Sequence, residues 1–211
     1  MKKSLNKNIL LHRRLFLIIS FASLTLLKSK HVWAMCTKTP NQTEGPFFKS
    51  ENLSTSNDLT KNKKAKGEII KITGKILDLK CKPISNCKIY VWQANSKGKY
   101  NHPNDVSKNN LDSNFNGYAS FKNDKNGQYE FLTIKPGHYQ AMKDWIRPPH
   151  IHIKIKKNKK TLLVTQLYFY GEPLNKKDLI FTSNKDNKNL EVKLNKYNNN
   201  NILYGTFNFI I

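Results

Sequence analysis

Arginine is nearly absent once the first 34 residues are set aside: Arg147 stands alone in a chain whose 37 basic residues far outnumber its 14 acids. Nucleic-acid readers gather arginine and aromatic side chains on one face. Here the excess is lysine mixed with asparagine, as in Lys61-Asn62-Lys63-Lys64 and Lys156-Lys157-Asn158-Lys159-Lys160, spread along the whole chain. The net charge of +23 falls to +16 when the seven cations of residues 1–34 are removed. A nucleic-acid partner is therefore not expected. Cysteine is scarce too, with three in all and no CxxC pair, which leaves a zinc ribbon without ligands and at least one cysteine unpaired. No stretch carries a useful helical period, no segment repeats, and nothing marks a second domain.

The segment Met1–Ala34 does have a pattern. A basic stretch ends at Arg13-Arg14, an apolar run follows from Leu15 to Leu27, and Val32-Trp33-Ala34 offers a cleavage site. That is the order of a secretory leader, and the run is short for a membrane span. Arg13-Arg14-Leu15-Phe16-Leu17 also suits twin-arginine export, which carries folded proteins with their cofactor in place. The expected protein is thus exported, periplasmic or secreted, with no stable span after processing. Its cysteines Cys36, Cys81 and Cys87 would meet an oxidising compartment.

Residues 35–67 read as a polar, irregular arm, and 68–211 as one domain. Within that domain Ile70, Ile72 and Gly74–Asp78 alternate, Lys88–Trp92 is a second strand, and Asp124–Gly127 is a turn into Gln128–Phe131. Pro148-Pro149 precedes a strand over His150–Lys156, another covers Leu162–Tyr170, and Tyr204–Ile211 closes the chain. The expectation is an all-β fold, an antiparallel β-sandwich core with an irregular N-terminal arm and long active-site loops.

Alternation gives the strand at His150 its chemical interest. His150 and His152 point to one face while Ile151, Ile153 and Ile155 point to the other, which is the natural core face. Two imidazoles at that spacing can reach one metal ion. Within ten residues of the pair the only carboxylate is Asp144, and cysteine is in short supply. Tyrosine is not: Tyr100 and Tyr139 are expected in loops after strands, beside Gly98-Lys99 and Gly137-His138. Two phenolates with two imidazoles form a hard, anionic donor set that suits a ferric ion better than zinc.

Five stretches resemble the intradiol ring-cleavage dioxygenases, particularly the protocatechuate 3,4-dioxygenase type. They are Thr43-Glu44-Gly45-Pro46-Phe47-Phe48; Tyr90–Asn95 with Gly98–His102; Leu111–Phe115; Thr133-Ile134-Lys135-Pro136-Gly137-His138-Tyr139 with Arg147-Pro148-Pro149-His150-Ile151-His152; and Thr165–Phe169 with Gly171–Leu174. They run in the family's order from about Thr43 to Phe181. The resemblance implies a ferric ion, Fe(3+), held by equatorial Tyr100 and His150 and axial Tyr139 and His152. It implies that Arg147 and Gln166 lie beside the substrate, that Ile180 lines the pocket, and that Thr43, Gly45 and Pro46 belong to an arm covering it. The substrate would be a catechol-type aromatic, opened by dioxygen to a cis,cis-muconate-type diacid, with Tyr139 and Arg147 the catalytic side chains. Similarity to exported members around Cys36–Thr43 implies a Cys36–Cys81 disulfide, with Cys81–Cys87 the alternative.

The sequence also departs from the family. Ala141 replaces a tryptophan often found two residues past the axial tyrosine, and Trp145-Ile146-Arg147 shifts the usual Trp-Arg neighbours by one. These changes alter the pocket wall, so the identity of the catechol stays open, as does assembly into a homo-oligomer. Two competing functions are a secreted β-sandwich binding module without catalysis and a zinc hydrolase built on the histidine pair. The first has no need of two tyrosines beside two histidines; the second wants a carboxylate base near the metal, where the sequence offers only Asp144.

Overall fold

The computed structural model of the protein describes residues 35–49, 53–197 and 200–211, so the expected leader lies outside the described residues. Two five-stranded sheets make the frame. One is built on β1 (Ile69–Leu77), which pairs antiparallel with β4 (Gln128–Ile134) and parallel with β11 (Ile202–Thr206) and β12 (Phe209–Ile210); β10 (Leu194–Lys196) lies beside β11. The other runs β3 (Tyr118–Lys122), β2 (Lys88–Trp92), β7 (His150–Lys157), β8 (Lys160–Phe169) and β9 (Glu191–Val192). A separate hairpin joins β5 (Tyr139–Met142) to β6 (Trp145–Arg147), and α1 (Leu179–Thr182) is the sole α-helix among the described residues. Among the described residues, no helix is long and apolar enough to cross a membrane.

The expected sandwich is present, with parallel pairings added at β1–β11, β1–β12 and β8–β9. The single closing strand expected over Tyr204–Ile211 is instead two. Phe207 N–H donates to the Thr73 carbonyl, and the Asn208 side chain accepts from Lys75 N–H at 2.9 Å. A side-chain amide thus stands in for the backbone at the break, and pairing with β1 resumes at Phe209.

Alternating isoleucines hold the sheets together. Ile70, Ile72 and Ile76 of β1 meet Ile89 and Val91 of β2 and Ile151, Ile153 and Ile155 of β7 in one buried cluster, closed by Phe131, Leu167 and Phe209. Burying each such side chain contributes roughly 1.5–3 kcal/mol. With the core on that side, the opposite face of β2, β7 and β8 presents Trp92, His150, His152, Gln166 and Tyr168. Register aligns them, since His152 pairs with both Trp92 and Gln166, and His150 with Tyr168.

The arm then covers this outer face. It is largely irregular but well attached: a disulfide joins Cys36 to Cys81, Gln42 N–H donates to the Val164 carbonyl, and Thr165 Oγ1 donates to the Pro40 carbonyl at 2.7 Å. Cys87 remains a buried free thiol. Further along, Ser54 and Asp58 make isolated bridges to Ala119 and Leu132.

Candidate active site

Four rings close a circuit on the outer face of the second sheet. Tyr100 and Tyr139 lie 5.5 Å apart between centroids, Tyr139 and His150 5.7 Å, His150 and His152 4.9 Å, and His152 and Tyr100 6.5 Å. Both histidines are almost wholly buried, at 2% and 1% exposure. Neither face of β7 is therefore a solvent face.

Each ring is held by its own local chemistry. His150 Nδ1 lies 2.7 Å from the Pro148 carbonyl and donates to it, which leaves the Nε2 lone pair free. His152 stacks flat on Trp92, with centroids 4.8 Å apart and planes 9° apart. The two Nε2 atoms are 3.2 Å apart. Burial, then the nearby Arg147 charge, drives both imidazoles well below their ordinary pKa, so both are neutral at physiological pH. Neutral imidazole is the metal-binding form.

Tyr100 sits in the loop after β2, as expected, with its backbone N–H bonded to the Asp105 carboxylate at 2.6 Å. Gly98 makes its neighbourhood: with φ +75°, a Cβ there would lie 2.1 Å from the His138 carbonyl oxygen. That close approach brings the Tyr100 loop against the Tyr139 segment. Tyr139 itself begins β5 rather than lying in a loop, because Arg147 pairs with it across the hairpin. The Tyr100 hydroxyl is buried with no hydrogen-bond partner. Burial and the adjacent Tyr139 push its pKa well above the usual value; burial also raises that of Tyr139, against the opposing pull of Arg147.

The arm roofs the circuit. Phe47 stacks on Tyr100 with centroids 4.3 Å apart, and Phe48 packs against Trp92. Gly45, at φ +71°, lies so close that a Cβ there would stand 3.3 Å from His152 Cε1. The Thr43 carbonyl accepts from Gln166 Nε2 at 3.2 Å, and the exposed Pro46 offers its carbonyl to Asn104. Glu44 pairs with Lys154 at 2.6 Å.

Arg147 and Gln166 are both buried beside the circuit, with Arg147 Nη2 donating to Gln166 Oε1 at 2.6 Å. Ile180 lies half-buried on α1, next to this pair's support rather than in the circuit. Two residues here escaped the sequence reading. Asp178, fully buried, forms an ion pair with Arg147, Oδ1 to Nε 2.9 Å, and the Tyr168 hydroxyl joins Arg147, Gln42 and Gln166. Asp144, the only acid near the histidines in sequence, is exposed at the β5–β6 turn. Among the described residues no three His, Cys, Asp or Glu side chains converge; the ring is completed by tyrosines. A hollow of about 800 Å³ bordered by Thr73, Gln128 and Glu130 contains none of these residues, whereas one of about 310 Å³ borders Tyr139 and Ile146. Chemistry, not size, marks the site.

An all-β sandwich that sets two histidines and two tyrosines face to face under an aromatic arm defines a narrow class. A family model described as Dioxygenase matches residues 43–211, and the chain belongs to the intradiol ring-cleavage dioxygenase family. It is 42% identical over 145 residues to the protocatechuate 3,4-dioxygenase beta chain of Burkholderia cepacia, covering 64% of this chain and 61% of that one. It is 31% identical over 129 residues to hydroxyquinol 1,2-dioxygenase of a Rhizobium species, covering 55% and 42%. The chain thus spans less than two thirds of the length of these curated relatives. Among solved structures, the dioxygenase domain of a dioxygenase–carbohydrate-binding fusion from Streptomyces sp. SirexAA-E superposes with a TM-score of 0.66 at 27% identity, covering 83% of this chain and 98% of that one. The intradiol ring-cleavage dioxygenase of Tetranychus urticae gives 0.68 at 23% identity, covering 83% and 95%, a likeness of fold.

Proposed function

We propose that this protein is an exported, ferric-iron-dependent intradiol dioxygenase that opens a catechol-type ring with dioxygen, both oxygen atoms entering a cis,cis-muconate-type diacid. The observation that carries this reading is the circuit of Tyr100, Tyr139, His150 and His152. Its donors fit a ferric ion: two neutral imidazoles turn their Nε2 atoms toward each other at 3.2 Å, and a buried phenol lacks any partner. Leaving a buried polar group unpaired costs roughly 1–3 kcal/mol, which a bound cation would offset. Relatives named for cleaving protocatechuate, hydroxyquinol and catechol add support.

A ferric ion, when bound, supplies Lewis acidity that draws charge from a chelating catecholate and activates the ring. The protein's own groups do the rest. Tyr139 would be one of the four residues holding the ion, and its phenolate Oη could take one of the substrate's hydroxyl protons, its basicity favoured by the burial that raises the phenol's pKa. Tyr100, pinned through its backbone to Asp105 and stacked under Phe47, would be the fixed phenolate donor. Arg147 supplies a fixed positive charge where negative charge grows on the substrate, in a site the arm keeps dry. Gln166, bonded to both Arg147 and the arm, fixes their separation. The Cys36–Cys81 disulfide supports the export reading, since such bonds persist in oxidising compartments. A non-catalytic binding module gives no reason for the four rings to converge.

Oxygen uptake tests the proposal, with iron-loaded protein offered catechol, protocatechuate and hydroxyquinol in turn. At least one should be consumed mole for mole with oxygen and yield a ring-opened diacid. No uptake with any of them would refute the reading.

A further inference from the structure

Arg147 is the sole arginine after residue 34, and the fold spends an unusual amount of structure on it. Its Nε donates to Asp178 Oδ1 at 2.9 Å, and its Nη2 reaches Gln166 Oε1 at 2.6 Å, Tyr168 Oη at 3.2 Å and Asp178 Oδ2 at 3.3 Å. These bonds use the Nε–Nη2 edge of the guanidinium. Tyr139 is the cross-strand partner of Arg147, close enough for the cation to oppose the burial that raises the phenol's pKa. Burial works against the guanidinium's own charge, yet Tyr139, Tyr168 and Asp178 together hold it protonated.

Asp178 is the centre of that support. At 0% exposure it receives five donors: Arg147 Nε and Nη2, Trp145 Nε1 at 2.9 Å, Tyr168 Oη at 3.4 Å and the Phe181 N–H at 3.1 Å. Every partner is a donor, so only a group with two acceptor oxygens satisfies them all. The Phe181 contact makes Asp178 the N-cap of α1, the helix that carries Ile180. One carboxylate therefore ties the arginine, the tryptophan beside it and the helix bearing Ile180 into a single unit.

We propose that Asp178 is the positioning residue of this site: it fixes the plane of the Arg147 guanidinium beside Tyr139, and it locks α1 to the same frame. It touches neither substrate nor metal donors, and acts through Arg147. The inference rests on the ring-cleavage reading above, with Arg147 stabilising charge that grows during the reaction.

Two linked measurements on iron-loaded protein test it. Asp178→Asn keeps the shape but turns an NH2 group toward at least one donor. It is expected to retain iron, lower kcat about tenfold or more, and leave KM within about twofold. In an Arg147→Ala background the same exchange should change kcat by less than about twofold, because its effect travels through the arginine. Melting temperatures of the four proteins give the coupling without any activity assay: Asp178→Asn should lower Tm more when Arg147 is present, since it leaves a buried cation unpaired. An equal cost with and without Arg147, in both rate and Tm, would overturn the proposal and reduce Asp178 to a helix cap. Should Asp178→Asn not fold, Asp178→Glu keeps the charge and pushes the guanidinium aside by one methylene; a several-fold loss of kcat at unchanged KM supports the proposal, and wild-type kcat overturns it. Wild-type protein without oxygen uptake sinks the ring-cleavage reading instead, and the Tm cycle still decides whether Asp178 and Arg147 act as a unit.

Discussion

Replacing both Cys36 and Cys81 by serine separates the arm's covalent tether from its hydrogen bonds. The disulfide spans 45 residues. Closing a loop of that size removes unfolded-chain entropy equivalent to ~4 kcal/mol at 25 °C. In a chain of this length each kcal/mol moves Tm by about 2–4 °C, so the serine pair should melt about 8–16 °C lower. The folded arm has other anchors in Thr39, Pro40 and Gln42, so native far-ultraviolet circular dichroism should persist at room temperature. The functional consequence is local. Gly45 rests on His152 and Phe47 on Tyr100, so an arm freed at its base should let a chelator extract iron faster at temperatures well below Tm. Differential scanning calorimetry and timed chelator extraction measure the two effects. A Tm within about 2 °C of wild type, with the same extraction rate, would refute the claim that the disulfide tethers the roof of the site.

Other perturbations probe single contacts. Tyr139→Phe should keep iron and slow substrate binding in stopped-flow absorbance, while Tyr100→Phe should lower iron content itself; identical behaviour of the two contradicts their separate roles. Arg147→Ala should lower kcat and kcat/KM together, by about a hundredfold, with KM nearly unchanged, and a change confined to KM contradicts the role given to it. Gly45→Ala forces an L side chain into left-handed backbone against His152, which should cost ~1–2 kcal/mol in denaturant unfolding; an unchanged midpoint contradicts the packing described. Burial raises the pKa of Cys87, so its thiol should resist alkylation in the native protein and react only on unfolding.

The strand bearing the two histidines was readable because alternation is a local rule: Ile151, Ile153 and Ile155 had to face the core, which sent His150 and His152 the other way together. Gly98 and Gly137 flagged the tyrosine segments, although cross-strand pairing with Arg147 draws Tyr139 into β5, a tertiary effect no local pattern carries. Asp178 was invisible for the same reason. It meets Arg147 from 31 residues away and Trp145 from 33, inside Asn175-Lys176-Lys177-Asp178, which looks like ordinary polar loop. The available signal was charge: a lone arginine placed beside the substrate in a partly dry site calls for an acid partner, though the sequence does not say which of its acids that is. The break between β11 and β12 likewise depends on a side chain, Asn208, replacing a backbone acceptor.

The central claim is that four side chains hold one ferric ion, and visible absorption with metal analysis tests it most directly. Iron-loaded protein should be reddish-brown from tyrosinate-to-iron(III) charge transfer, with one iron per chain. His150→Ala and His152→Ala should each lose both iron and colour, because losing one donor also loosens the others. A colourless iron-loaded protein, or full iron and colour in both variants, would contradict the account.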